Sequence, residues 1–206
     1  MTKRRKAAIV LYEDQAVPTH QFGLHKLVKA CAWDEIRSAT ERHVFESLVD
    51  HRSLKGNSKI IKNATELLAL EPGCHLIAVF DSDRVREMLG LSADAPDDDV
   101  IKAILVNCKA SAERITVHLL NKNTESVIEA VRECARKLGN SLDPELLEQA
   151  LRKDRAARDV LLNIVSRESE LAMRDCIRSD MPSLRIIAES VLFAVRPHLA
   201  LNATPH

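Results

Sequence analysis

Aromatic side chains are almost missing from this chain: Phe, Trp and Tyr make up 3% of its 206 residues. So few flat rings leave little platform for stacking the bases of a single-stranded nucleic acid. Net charge is missing as well, since 30 basic and 30 acidic residues cancel to +0. No global basic field draws a polyanion, and any such contact falls to local clusters. No apolar run approaches the length of a membrane span. The five cysteines (Cys31, Cys74, Cys108, Cys134 and Cys176) form no CxxC pair and have no Cys/His ligand set nearby. That pattern excludes a sequence-readable zinc motif or disulfide framework and predicts reduced, mostly packed thiols. The basic start MTKRRK leads into an apolar run too short for a signal core and closed by acids. Internal repeats and low-complexity tracts are absent too. Together these absences predict a soluble, cytoplasmic protein that does not engage a membrane.

What is present suits a folded domain. Hydrophobic residues make up 46% of the chain and charged residues 29%, enough for a full core with a helical appendage. Ala7–Tyr12 and Leu76–Phe80 are unbroken apolar runs rich in Ile and Val, which predicts parallel strands covered on both faces. Arg114–Leu119 reads as a third strand, and Val44–His51 as a fourth. Helical patterns lie over Thr19–Ala32, Lys59–Leu70, Asp98–Ser111 and Thr124–Leu138. This alternation predicts an α/β domain with a parallel sheet of about four strands flanked by helices.

Boundary signals support the division. Gly56 and Asn57 mark a turn with Ser58 as N-cap, Glu71-Pro72-Gly73 stops a helix, and Pro96 precedes an acidic first turn. Asp143 reads as an N-cap with Pro144 at the first helical position. Beyond Leu142 the chain turns helical and densely charged. The expected organisation is therefore an α/β domain over 1–142 and a C-terminal helical extension over 143–206. Met181-Pro182 divides that extension, which packs on the sheet domain or on a partner and is a candidate surface for a homo-oligomer.

Both long apolar strands end in acids: the first in Glu13-Asp14, the later one in Asp81-Ser82-Asp83. Ligands of open parallel sheets bind beyond the carboxyl ends of the strands, so parallel neighbours would bring these acids to one edge. Asp81 and Asp83, two apart, point the same way while the chain stays extended. Oxygen ligands from two strand tips suit a hard divalent cation such as magnesium, which also takes waters and a phosphate oxygen. The competing reading is plainer: acids often close strands, and Asp83 does no more than cap the helix of Arg84–Leu89.

The order of a first strand ending in Glu and a later one ending in Asp-x-Asp resembles the Toprim domain of topoisomerases, primases and related nucleases. The likeness runs from AIVLYEDQ through LIAVFDSD to ITVHLLNKNTESVIEAV, over roughly residues 7 to 138. The last stretch is similar to the third region of small Toprim proteins related to the overcoming-lysogenisation-defect nucleases. SLKGNSKIIKNA resembles the Lys-Gly turn and helix of the same group. The resemblance implies a Toprim-like fold and a nuclease that cleaves DNA or RNA with Mg2+ (or Mn2+), in phage defence, beside an ATPase or other protein partner. It implies Glu13 as metal ligand or general acid/base, Asp81 and Asp83 as metal ligands, and Glu125 as an accessory acid. Asp14 stands where many Toprim sequences carry Gly.

Other features carry less. Lys55 and Lys59 flank the Gly56 turn and are candidates for phosphate contact, whereas most such lysines are simply solvated. His20 and His25 read as surface or packing residues, His118 as a satisfied core histidine, and Trp33 as a packing anchor. Arg152–Asp159 reads as an ion-paired helix face. Two alternatives to a nuclease stand: a non-catalytic Toprim-like scaffold, and a receiver-like regulatory module built on Glu13, Asp14 and Asp81. Against the receiver, the gap between the acidic tips is long and the Thr/Ser-then-Lys-Pro series is missing.

Overall fold

Runs of Ile, Val, Leu and Ala pair into one sheet of four parallel strands, β1 (Ala8–Glu13), β2 (Val49–Leu54), β3 (His75–Asp81) and β4 (Ile115–Leu120). The computed structural model from which this fold is read describes residues 6–13, 24–54, 56–120 and 123–202. Strand order is β2-β1-β3-β4. Alternation along the central strands splits the core in two. Ala8, Val10, Tyr12, Ile77 and Val79 face one side, and Ile9, Leu11, Leu76, Ala78 and Phe80 face the other. This is the helix-flanked parallel α/β sheet that the sequence predicts.

The second of these faces is covered by α3 (Asn57–Leu70), α4 (Ser82–Met88) and α5 (Asp97–Cys108), whose Ile60, Ala64, Val85, Val100 and Ile104 join its core. The first face packs with α1 (Leu24–Asp34), α2 (Ala39–Leu48), α6 (Asn123–Leu138) and the C-terminal helices. Those are α7 (Pro144–Leu151), α8 (Arg155–Val165), α9 (Leu171–Asp180) and α10 (Pro182–Asn202). α10 lies directly on β1, β3 and β4 and also touches α1 and α2. Its Leu184, Ile187, Val191 and Val195 are fully buried. No helix among the described residues is long and apolar enough to cross a membrane.

Several local expectations are met. Asp143 Oδ1 accepts the Glu145 N–H at 2.9 Å, with Pro144 opening α7. The chain breaks at Met181-Pro182 between α9 and α10. Other expectations are corrected. Val44–Leu48 is helix rather than strand, because Ser38 Oγ accepts the Glu41 N–H and Val44, Phe45 and Leu48 bury at helical spacing. The strand itself follows at Val49 with no loop between. α3 begins at Asn57, one residue before the expected Ser58 cap. Its N-cap is Gly56 at φ 90°, a conformation that a side chain at that position would strain. Arg152–Asp159 is not one helix face: α7 ends at Leu151 and Lys153 turns left-handed at φ 71°. Asp154 Oδ1 then restarts α8 by accepting the Ala157 N–H at 2.8 Å. The expected first helix, Thr19–Ala32, is helical from Leu24; residues 19–23 fall outside the described residues.

A buried ion pair ties the C-terminal helices to α1. The Arg174 guanidinium, 3% exposed, donates from Nε and Nη2 to the two oxygens of Asp34 at 2.8 and 2.7 Å. Its Nη1 donates to the carbonyl of Val165 at 2.9 Å and to that of Arg167. Arg178 adds a contact to the Cys31 carbonyl at 3.2 Å. With both partners desolvated, removing one strands the other. We therefore expect Arg174→Ala and Asp34→Ala each to cost about 3–5 kcal/mol in chemical denaturation, and the double variant to cost less than their sum.

Candidate functional site

β1 and β3 are hydrogen-bonded neighbours in register Tyr12↔Val79, so Glu13 and Asp81 leave the sheet side by side at its carboxyl edge. In the order β2-β1-β3-β4 the chain departs β1 to one side for β2 and returns on the other for β3. The crevice between β1 and β3 is therefore the topological switch point, where open parallel sheets take their ligands. The acids of the two tips meet here. The Asp81 N–H donates to Glu13 Oε2 at 3.4 Å. Their side chains are 9% and 15% exposed, and the more open Arg84 leans over both. Arg84 Nη1 lies 3.6 Å from Glu13 Oε1, and its Nε 3.9 Å from Asp81 Oδ2.

Its surroundings shift Glu13. Burial pushes the Glu13 carboxyl above the ordinary value of 4.5, and the neighbouring Asp81 charge pushes it further. The Asp81 N–H and the Arg84 guanidinium oppose that rise without cancelling it. Arg84 is placed by α4, and α4 is anchored by the buried Arg86. Arg86 donates to the Ser82 and Ala95 carbonyls, each at 3.1 Å, and pairs with Asp97 at the start of α5.

The remaining acids diverge. The chain stops being extended at Asp81, because α4 begins at Ser82. Helical winding turns successive side chains by about 100°, so Asp83 does not share a strand face with Asp81. Asp83 lies exposed in the first turn of α4, and Asp81 rather than Asp83 is the N-cap residue. Glu13, Asp81 and Asp83 do not bring three ligand atoms within 4.8 Å of one another. Glu125 opens α6 just past β4, whose Leu120 is in register with Asp81, so it rises from the same edge. Its Oε1 is held by Lys153 Nζ at 2.7 Å. Lys59 is exposed in the first turn of α3. Lys55, Asp14 and His20 lie outside the described residues.

Two contributors escape a sequence reading. Arg84 was visible only as one charge among many, though its i+3 spacing from Asp81 is the available signal. Asn57 opens α3, three residues past the end of β2. It is 5% exposed, and neither polar atom of its carboxamide has a hydrogen-bond partner among the described residues. Nothing in the sequence marks it as buried. His118, Trp33 and His25 take packing positions. His118 Nε2 meets Ser190 Oγ at 3.0 Å, and burial lowers its pKa to about 4. Trp33 packs half-buried against the core under Lys29 Nζ, 4.4 Å from its ring centre. His25 packs beside His51, with ring centres 6.0 Å apart.

The raised Glu13 pKa fixes a sign. Below about pH 4.5 Glu13 is protonated in folded and unfolded chains alike, and Glu13→Gln changes little through charge. Above it the unfolded chain ionises first, so the native protein loses stability as pH rises through the folded pKa. Glu13→Gln does not titrate. Its thermal midpoint relative to the parent should rise as the pH climbs above about 4.5 and level off once Glu13 is ionised in the folded parent too, measured by calorimetry over a pH series. An advantage largest at acid pH would contradict the assignment.

No family model, no curated protein and no solved structure matches this chain, so its site rests on the geometry of its own residues.

Proposed function

We propose that the protein is a Toprim-like, magnesium-dependent enzyme that cleaves phosphodiesters in DNA or RNA, in a phage-defence setting beside an ATPase or other protein partner. The observation that carries this reading is the meeting of Glu13 and Asp81 at the β1/β3 switch point. Two carboxylates from adjacent strands, both within reach of one cation-sized group, match the small oxygen set that magnesium (or manganese) takes along with waters. Glu13 and Asp81 would hold the ion; Asp83 on the next turn and Glu125 across the edge are the remaining acids. When bound, the ion supplies positive charge to a phosphodiester oxygen and lowers the pKa of a coordinated water.

The chain's own groups supply the rest. Burial and the neighbouring Asp81 raise the Glu13 carboxyl above its ordinary value, so a cation placed between the two acids would favour its ionised, ligating form. The exposed Arg84 moves off the acids at little cost and can meet a phosphate instead. The start of α3, with Lys59 in its first turn, directs backbone N–H groups and a positive charge at the same edge.

The Arg84 bridge also favours a second reading, in which Arg84 neutralises the acids permanently and the domain is a scaffold or receiver-like module for a protein partner. Incubation with plasmid DNA or RNA and Mg2+ or Mn2+ separates the two. The nuclease reading expects metal-dependent cleavage that falls at least about a hundredfold in Asp81→Ala and in Glu13→Ala, since substitutions one shell further out already cost ten- to hundredfold. Cleavage unchanged in both variants would sink it. Magnesium binding without turnover, or stable labelling of Asp81 by acetyl phosphate, would favour the module.

A further inference from the structure

A second cluster of ligand atoms lies far along the chain from the acids of the sheet edge. Cys134 is on α6, and Cys176 and Asp180 are on α9. Cys176 and Asp180 are four apart, one turn of the same helix face. The packing of α9 on α6 sets them against Cys134. One ligand atom from each of the three lies within 4.8 Å of the others. Cys134 Sγ is 3.7 Å from Asp180 Oδ2, and Lys137, one turn beyond Cys134, holds the Asp180 oxygens at 2.8 and 2.6 Å. Cys134 is fully buried, Cys176 half-buried and Asp180 open to solvent, so the cluster has a dry floor and an entrance.

We propose that Cys134, Cys176 and Asp180 form a metal site for a thiolate-preferring divalent ion, with zinc as the natural occupant. The donor set decides the metal class. Two sulfurs and one carboxylate oxygen suit zinc or cobalt, whereas magnesium and calcium take oxygen alone. Three protein ligands leave one tetrahedral position for water or an exogenous donor. Lys137 already fixes the Asp180 carboxylate and can stay on one oxygen while the other turns to the ion, as outer-shell partners of ligating carboxylates do.

Cys134 faces Cys176 and Asp180, and the cation beside them, Lys137, is bound to Asp180. Binding displaces the two thiol protons to the buffer and forms two metal–sulfur bonds, with no change of oxidation state. The consequence is a pin between α6 and α9. It fastens the C-terminal helices to the helix that carries Glu125.

The test uses the full chain, reduced and stripped with a chelator, and titrated with cobalt(II) alone. Sulfur-to-cobalt charge-transfer absorbance should appear and saturate at about one ion per chain, zinc should displace it, and zinc should raise the thermal midpoint. Cys176→Ser and Asp180→Asn should each weaken binding about tenfold or more. Cys108→Ser, at a thiol buried on the opposite face of the sheet, should leave it unchanged. Cys176 and Asp180 are not fully buried, so both variants test the site even where Cys134→Ser fails to fold. Absence of charge transfer in the reduced chain overturns the proposal, as does undiminished absorbance in Cys176→Ser or formation of a Cys134–Cys176 disulfide by a chain that binds no cobalt. Glu13→Gln should leave the cobalt signal intact, which keeps this outcome separate from that of the sheet-edge site.

Discussion

The pairing of β1 with its two parallel neighbours is the constraint on which the rest of the structure depends. β1 is central, and both of its faces are buried: Ala8 and Val10 are fully enclosed on one side, Ile9 and Leu11 on the other. A strand in that position cannot slip by one residue without turning each side chain into the wrong core. The register Tyr12↔Val79 is therefore pinned by packing on two faces, and with it the place where Glu13 and Asp81 emerge. The acids are neighbours because the hydrophobic residues behind them leave no other alignment.

The C-terminal helices complete this arrangement. One face of the sheet packs against α10, and its hydrophobic cluster runs from Val10 and Ile77 through to Leu184 and Val191. Arg174 and Asp34 add a desolvated, directional contact to that apolar one. A buried ion pair of this kind contributes little net stability over a well-packed apolar pair, yet it penalises any arrangement that leaves either charge alone. It selects one seating of α9 against α1, and the same seating brings Cys176 and Asp180 to Cys134 on α6.

The two clusters differ in the way their parts are assembled. At the sheet edge the donors are oxygens from strand tips, largely covered, with an arginine resting on them. Between α6 and α9 they are sulfur and oxygen donors on facing helices, and a lysine orients the carboxylate. Desolvation acts on both, raising the Glu13 carboxyl and the Cys134 thiol. In each case a group that prefers neutrality in its dry surroundings is placed where a cation would favour its charged form.

Much of the fold was legible because its signals are local. Unbroken Ile/Val runs marked β1 and β3, Asp143-Pro144 marked a helix start, and Met181-Pro182 marked a break. Where the reading failed, two local signals competed. Val44–Leu48 looks β-prone by composition, but its cap and helical burial spacing prevailed, and Asp83 looked like an extended partner of Asp81 until the helix began one residue earlier. The sequence carries most of the element starts and the acids that close β1 and β3, because hydrophobic period and turn chemistry act over a few residues. Which of those acids meet, the place of Arg84 over them, and the facing of Cys134 to Cys176 and Asp180 arise from packing between distant segments. Those contacts join residues far apart in the chain, and only burial against a shared core brings them together.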